Sequence, residues 1–158
     1  MIFNSADDLN KYACFLSDPQ RKRIGRFILG LSKQLEFSDD EIKILEEKAE
    51  KLNLFNEILY QTATLNNLGI QFEKNNELDK AIEAYEKNIL IGYTATHSFT
   101  RLMIIYRKLK KYDEEIRVIK TGMAVMSSKY PEICEEWSMR LIKTISLHAK
   151  KHKLPIKK

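Results

Sequence analysis

The sequence predicts an all-α protein, and three observations support this prediction. Apolar residues recur with a period close to 3.6 in nearly every segment, as in amphipathic helices. No window of four to eight residues alternates apolar and polar side chains as a half-buried strand would. Only three prolines and five glycines interrupt the 158 residues, which favours long helices. We therefore expect about eight helices joined by short turns, all within one domain, 1–158.

The N-terminal part, residues 1–53, is predicted to form helices arranged as a divergent hairpin. Ser5 begins a capping-box pattern that opens a short helix. Asp18 is expected to be the N-cap of the next helix, because Pro19 follows it at the first helical position. The apolar stripe of this second helix extends to Leu35.

Ser38 is predicted to cap a third helix, whose first turn contains the three acidic residues at 39–41. Carboxylates are favourable at the positive end of a helix dipole. We therefore interpret this acidic cluster as a helix start rather than as a pair of catalytic acids. The apolar stripe of the third helix ends at Leu52, and a separate, longer helix is expected from about Leu54 to Lys74.

The following stretch contains two helix–turn–helix units within residues 54–128. The turn "KNNEL" separates the helix that ends near Lys74 from a helix at Leu78–Ile91, and Gly92 is predicted to be its C′ residue. The remaining elements are helices at about 97–110 and 113–128, a capping helix within 129–152 opened by Pro131, and a basic tail at 153–158.

A shift of the sequence by 34 residues superposes one set of apolar positions on another. Leu65 falls on Phe99, for example, and Phe72 falls on Tyr106. A helix–turn–helix period of 34 residues is the spacing of tetratricopeptide repeats. The predicted repeat core consists of Leu65, Leu68, Gly69, Phe72, Ala81, Ile82, Tyr85, Phe99, Leu102, Tyr106, Ile116 and Ile119.

Residues 62–128 resemble two units of the tetratricopeptide repeat family. In the first unit Gly69 follows a leucine, as in the family's leucine–glycine pair, while Ala81 and Tyr85 match its small and aromatic positions. The second unit is degenerate, since Met103 and Glu115 replace the glycine and the alanine. The resemblance implies antiparallel helix hairpins stacked as a short right-handed solenoid with helical caps. It also implies that Gly69 faces Ala81, so that two helices can approach closely.

In this family the first helix of each repeat lines a concave groove that binds a protein or peptide. The resemblance implies a groove with Ile70 and Ile104 as an apolar floor beside basic walls. The positions that clamp a terminal carboxylate in chaperone-binding members hold Asn66 and Ile70 here, so that specificity is not implied. Packing of both isoleucines inside the chain is the alternative. The groove residues carried over from the family are Asn66, Ile70, Glu73, Lys74, His97, Thr100, Arg101, Ile104, Arg107 and Lys108.

Charge is unevenly distributed along the chain. Residues 1–100 contain 12 Lys and Arg against 16 Asp and Glu, a net charge of −4, whereas residues 101–158 contain 15 against 6, a net charge of +9. Such a basic end could contact nucleic-acid phosphates or an acidic protein. Aromatic residues for stacking on single strands are nearly absent beyond Tyr130, where only Trp137 remains. A solvated terminal helix explains the charge slightly better.

No combination of residues predicts catalysis or a cofactor. Cys14 and Cys134 could each pair with His97, but both lie on apolar stripes and are interpreted as buried small hydrophobic residues. His148 and His152 share one helix face, as zinc-binding pairs do. No carboxylate or third ligand is expected nearby, and the run "HAKKHK" is strongly basic. No metal site is therefore predicted.

Two features bear on the compartment. The start "MIFNSADDLNKYACFL" lacks a basic n-region, so it does not resemble a secretory signal, and no apolar run approaches the roughly 20 residues of a membrane helix. Two lone cysteines favour a reducing cytoplasm. We expect a cytoplasmic, non-catalytic adaptor that binds a protein or peptide without a membrane partner. Association with nucleic acid through the basic end is the alternative, and self-association is left open.

Overall fold

The computed structural model describes residues 1–93 and 95–153, so the predicted tail at 153–158 lies outside the described residues apart from the backbone of Lys153. Contacts divide the chain into two compact units, Met1–Glu57 and Ile58–Lys158. The prediction that these form one domain stays a prediction. The elements in order are β1 (Ile2–Phe3), a 3-10 helix (Ala6–Phe15), α1 (Asp18–Ile28), β2 (Leu35–Glu36), α2 (Asp39–Lys74), α3 (Leu78–Leu90), α4 (Thr96–Lys108), α5 (Tyr112–Met126) and α6 (Pro131–Lys153).

Helices make up almost all of the regular structure, so the predicted all-α class is confirmed. The expectation that no strand would form is wrong in one detail, because β1 and β2 pair antiparallel with Phe3 opposite Leu35. Each strand contains only two residues, which is too short for an alternating pattern to be visible in the sequence.

The first unit departs from prediction around α1. Ser17, not Asp18, is the N-cap, and its backbone N–H donates to Oε1 of Gln20 at 2.8 Å. α1 ends at Ile28 instead of extending to Leu35, because Gly30 turns the chain into the left-handed region with φ 68°. Leu35 is buried in β2 and joins a core made of Leu9, Tyr12, Leu35, Phe37, Ile42 and Leu45.

The predicted cap of the third helix is confirmed. Oγ of Ser38 accepts from the backbone N–H of Glu41 at 3.1 Å, and Oε2 of Glu41 accepts from the backbone N–H of Ser38 at 3.0 Å. This reciprocal pair is a capping box. The predicted break between Leu52 and Leu54 is wrong, because α2 runs without interruption from Asp39 to Lys74. Asn53 between them is only a modestly weak helix former, unlike glycine or proline.

In the second unit the turns between paired helices repeat at the predicted spacing. Asn76 has φ 60° and Lys110, 34 positions later, has φ 56°. The backbone N–H after each of them donates to the carbonyl of an aromatic residue on the preceding helix: Phe72 at 2.8 Å and Tyr106 at 2.9 Å, respectively. The 34-residue period is therefore present in the backbone. Stacking of these hairpins as a right-handed solenoid stays a prediction.

Consecutive helices of the second unit pack pairwise, α3 on α4, α4 on α5 and α5 on α6. The buried core that results consists of Ala81, Tyr85, Ile89, Phe99, Leu102, Met103, Ile105, Tyr106, Val118, Ile119, Met126 and Trp137. Most predicted core residues are buried or half-buried, but Leu68 is wrongly placed in the core, since 38% of it is exposed. Gly92, with φ 73°, follows the C-cap of α3 as predicted.

Two glycines in this unit mark close contact with aromatic rings. A Cβ built on Gly69 would lie 2.3 Å from Cε1 of Tyr85, so this glycine allows close packing against that ring. That Gly69 also faces Ala81 stays a prediction. A Cβ on Gly122 would lie 2.4 Å from Cζ3 of Trp137. Gly122 lies outside the predicted repeat core, since the 34-residue shift places Met103, not Gly122, opposite Gly69.

Candidate functional site

Five of the ten predicted groove residues surround one open concavity of about 330 Å³ in the second unit. They come from the last turns of α2 and the first turns of α4, and both segments belong to the first-helix positions of the proposed repeats. Helix packing within the unit thus brings together side chains about 30 positions apart in the sequence. The lining residues are Ile70, Glu73, Lys74, His97 and Arg101.

A hydrogen-bonded ion pair lines this concavity. Nε of Arg101 donates to Oε1 of Glu73 at 2.9 Å, and a second guanidinium nitrogen contacts the other carboxylate oxygen. The hydroxyl of Tyr85 also donates to Oε1 of Glu73, at 2.8 Å. The Arg101 guanidinium holds the pKa of Glu73 below its usual value, although partial burial opposes this. The carboxylate is therefore a fixed, neutralised part of the wall.

His97 lies at the edge of the same concavity, with its ring centroid 5.8 Å from that of Tyr85. Desolvation lowers the pKa of His97, and the nearby positive charge of Arg101 lowers it further. The imidazole is consequently neutral at pH 7. It can offer one hydrogen-bond donor and one acceptor to a ligand without adding charge.

The other predicted groove residues have different environments. Ile104 is exposed to 39%, one turn beyond Arg101 on α4, and Lys108 is exposed at the end of that helix. Thr100 is half-buried. Asn66 is largely engaged in internal structure, since its Oδ1 accepts from Nδ2 of Asn88 at 2.8 Å. The buried amide of Asn88, which no sequence pattern singled out, also donates to the backbone carbonyl of Thr62 at 3.1 Å.

Arg107 was predicted to form a basic wall of the groove, and this is wrong. Its Nε contacts Oε2 of the completely buried Glu115 at 2.6 Å. Nε of Arg140 donates to Oε1 of the same carboxylate at 2.8 Å. Arg107 also donates to Oγ1 of Thr144 at 2.6 Å. The guanidinium is held in an internal network that joins α4, α5 and α6, and is not offered to a ligand.

The basic C-terminal third contains both engaged and exposed cations. Arg140 belongs to the internal network, while Lys143 and Lys150 are exposed on α6. Nζ of Lys151 donates to the backbone carbonyl of Lys110 at 3.1 Å. Trp137 is 4% exposed and packs against Phe99, so its ring cannot stack on a nucleic-acid base.

The cysteines were predicted to be buried, and this is wrong for one of them. Cys14 is exposed, whereas Cys134 is half-buried and its thiol contacts the backbone carbonyl of Met123 at 3.5 Å. A pattern that places a small residue on an apolar stripe does not reveal that the 3-10 helix turns Cys14 outward.

The acidic residues at 39–41 occupy the first turn of α2, as predicted.

The expectation that no carboxylate lies near the two C-terminal histidines is also wrong. Oδ1 of Asp113, in the first turn of α5, lies 2.9 Å from Nε2 of His148 on α6. The ring centroids of His148 and His152 are 4.4 Å apart. One potential ligand atom from each of these three residues lies within 4.8 Å of the others. Sequence spacing alone could not reveal this cluster, since Asp113 is far from the histidines in the chain.

Comparison with known proteins gives no match: no protein-family model, no curated protein and no solved structure matches this chain. The tetratricopeptide resemblance therefore depends on the residues quoted above and on the repeated turns. Among residues 1–93 and 95–153, no helix is both long and apolar enough to cross a membrane.

Proposed function

We propose that the chain is a non-catalytic protein-interaction module of the tetratricopeptide type. In this proposal it acts as an adaptor and binds a protein or peptide segment in the groove along α2 and α4. One observation supports this best: Ile70 lines an open concavity, and Ile104, exposed to 39%, lies one turn beyond Arg101 on the same side of α4. An apolar group beside a walled concavity is the kind of anchor point on which peptide binding depends.

The charges around the groove favour a ligand with acidic side chains. Glu73 is neutralised by Arg101, so it does not repel a negative group. Lys74 lines the concavity and Lys108 ends α4; both are exposed and take no part in that ion pair. A segment with one apolar side chain between acidic ones would bind both features. Micromolar affinity, about −8 kcal/mol, is sufficient for such an adaptor.

Affinity measurements on isoleucine variants test the proposal. Proteins from the native host that bind the immobilised chain would be identified by mass spectrometry, and their affinity measured by calorimetry with purified partner. Ile70→Asp combined with Ile104→Asp should weaken binding at least about a hundredfold, because two apolar anchors are replaced by charges. Ile142→Asp is the matched control, since Ile142 is exposed on α6, outside the concavity, and its change should leave affinity unaltered.

The fold of each variant must be checked by circular dichroism and thermal unfolding. Ile70 is half-buried, so the single variant Ile104→Asp is the decisive one if the double variant unfolds. It should weaken binding about tenfold or more while the melting temperature stays close to that of the parent. Equal affinity of the parent and a folded Ile104→Asp protein would refute binding in this groove.

Nucleic-acid association through the exposed lysines of α6 is the second candidate. Phosphate contacts release counterions, so affinity for an oligonucleotide would fall steeply as salt concentration rises. Changing Lys143 and Lys150 to glutamate would abolish such binding and leave the groove intact.

We also propose a cytoplasmic location, because Cys14 and Cys134 are both free thiols, which a reducing compartment preserves.

A further inference from the structure

A cluster of two histidines and one carboxylate lies outside the proposed groove. His148 and His152 lie one turn apart near the end of α6, and Asp113 lies in the first turn of α5. Nε2 of His148 is 2.9 Å from Oδ1 of Asp113, and the two imidazole centroids are 4.4 Å apart. One nitrogen or oxygen of each residue lies within 4.8 Å of the other two.

The chemistry of these atoms matches that of a borderline transition metal. Imidazole nitrogen and carboxylate oxygen bind Zn²⁺ at about 2.0–2.2 Å, so tetrahedral ligand atoms lie roughly 3.3 Å from one another. The potential ligand atoms of Asp113, His148 and His152 lie within 4.8 Å of one another, so small rotations of these exposed or half-exposed side chains would bring them to this spacing. Histidines four residues apart on a helix present both rings on one side. Three protein ligands leave the fourth position to water.

A cation can bind at this cluster only if the surrounding lysines do not repel it. The neighbouring run is basic, but the ammonium of Lys151 is directed to the backbone carbonyl of Lys110. Asp113 supplies one negative charge at the site itself, and its side chain is 79% exposed, so solvent screens the more distant lysines. Oxygen-preferring cations such as Mg²⁺ gain little from two imidazoles, whereas Zn²⁺, Co²⁺ and Ni²⁺ gain much.

We propose that Asp113, His148 and His152 bind one divalent transition-metal ion of the Zn²⁺ class. The ion joins the last turns of α6 to the first turn of α5. The end of α6 then opens less often, because a ligand that binds only the folded arrangement stabilises that arrangement. This site is independent of the proposed peptide groove.

Metal titration of the full chain tests the proposal. The background variant Cys14→Ser removes an exposed thiol that would compete for the metal. After dialysis against a chelator, ZnCl₂ titrated in a calorimeter should bind at one ion per chain, and MgCl₂ should give no heat. Co²⁺ should give the visible absorption of a four-coordinate ion. Hydrogen exchange at the amides of residues 145–153 should slow when Zn²⁺ is present.

Two ligand variants and two matched controls decide whether these residues hold the ion. His152→Ala and Asp113→Asn should each weaken Zn²⁺ affinity at least about tenfold, since even outer partners of a metal ligand contribute tenfold to a hundredfold. Glu114→Gln removes a neighbouring acid of the same helix turn, and His97→Gln removes the only histidine outside the cluster. Both should bind Zn²⁺ as the parent does.

Two results would overturn the proposal. One is the absence of Zn²⁺ heat and of any Co²⁺ absorption with the parent, which would show that Asp113 and His148 only contact each other and bind no ion. The other is Zn²⁺ binding of equal strength by the parent, His152→Ala and Asp113→Asn, which would locate the ion elsewhere.

Discussion

Gly69 on α2 lies against the ring of Tyr85 on α3, so that an added Cβ would be 2.3 Å from Cε1 and 2.5 Å from Cζ of that ring. Gly69→Ala should therefore destabilise the second unit by about 1–3 kcal/mol, because the buried ring has to shift. This net loss already includes the roughly 1 kcal/mol that alanine gains over glycine inside a helix. Chemical denaturation followed by circular dichroism would measure it.

Gly25 provides the matched control for this substitution. It also lies inside a helix, α1, but a Cβ there would meet nothing within 4 Å. Gly25→Ala should therefore raise stability by up to about 1 kcal/mol. In a Tyr85→Leu background, Gly69→Ala should lose most of its cost, because the obstructing ring is gone. The same cost with and without the ring would contradict the proposed contact.

The buried carboxylate of Glu115 gives a second prediction. Replacing both of its partners, as Arg107→Met with Arg140→Met, should destabilise the chain by about 3–5 kcal/mol, since the carboxylate is left buried and unpaired. Adding Glu115→Met to this pair should restore most of the stability, because an apolar side chain of similar volume requires no counter-charge. Urea denaturation of the double and triple variants would measure both effects.

Arg117→Met is the control, because it removes an arginine that does not pair with the buried carboxylate of Glu115. The side chain of Arg117 is 44% exposed and pairs with Glu86 and Glu114 near the surface. This change should cost at most about 1 kcal/mol, as for other surface ion pairs. A triple variant no more stable than the double one would show that Glu115 is not the source of the loss.

A third prediction concerns acid stability of the first unit. Hydrogen bonds from the Arg23 guanidinium, and next from the Ser38 backbone, hold the pKa of Glu41 down to about 2, against the opposing effect of desolvation. The folded pKa lies below the unfolded value of about 4.3. The contribution of Glu41 to stability is therefore fully present above roughly pH 4.5 and is lost as the pH falls towards 2.

Glu41→Gln should remove this contribution. The variant should be less stable than the parent at pH 7, and the difference between the two should shrink as pH falls from about 4.5 to 2. Glu47→Gln, an exposed carboxylate further along α2, should leave stability at pH 7 within about 0.5 kcal/mol of the parent. A stability difference between parent and Glu41→Gln that stays constant down to pH 2 would contradict the role of Arg23.

Local patterns predicted most of the secondary structure. Helix periodicity depends on residues three and four apart, and it identified α3, α4, α5 and α6 to within two residues at each end. Periodicity did not predict a helix end that depends on the backbone geometry of one residue. Gly30 ends α1 early through a positive φ, and nothing in the apolar stripe that continues to Leu35 reveals this. Conversely, the apolar stripe that ends near Leu52 predicted a helix end there, but α2 continues, because no glycine or proline interrupts the chain at that point.

The sequence by itself determined the all-α class, the 34-residue spacing and the need for a glycine at position 69, because these depend on short-range periodicity and on side-chain size. Only the tertiary structure decided which groups meet across helices. Arg107 was predicted to line the groove, but its guanidinium binds Glu115 on α5. Oδ1 of Asp113 lies 2.9 Å from Nε2 of His148. Such pairings join residues on different helices, and their geometry follows from how the helices pack rather than from residue spacing.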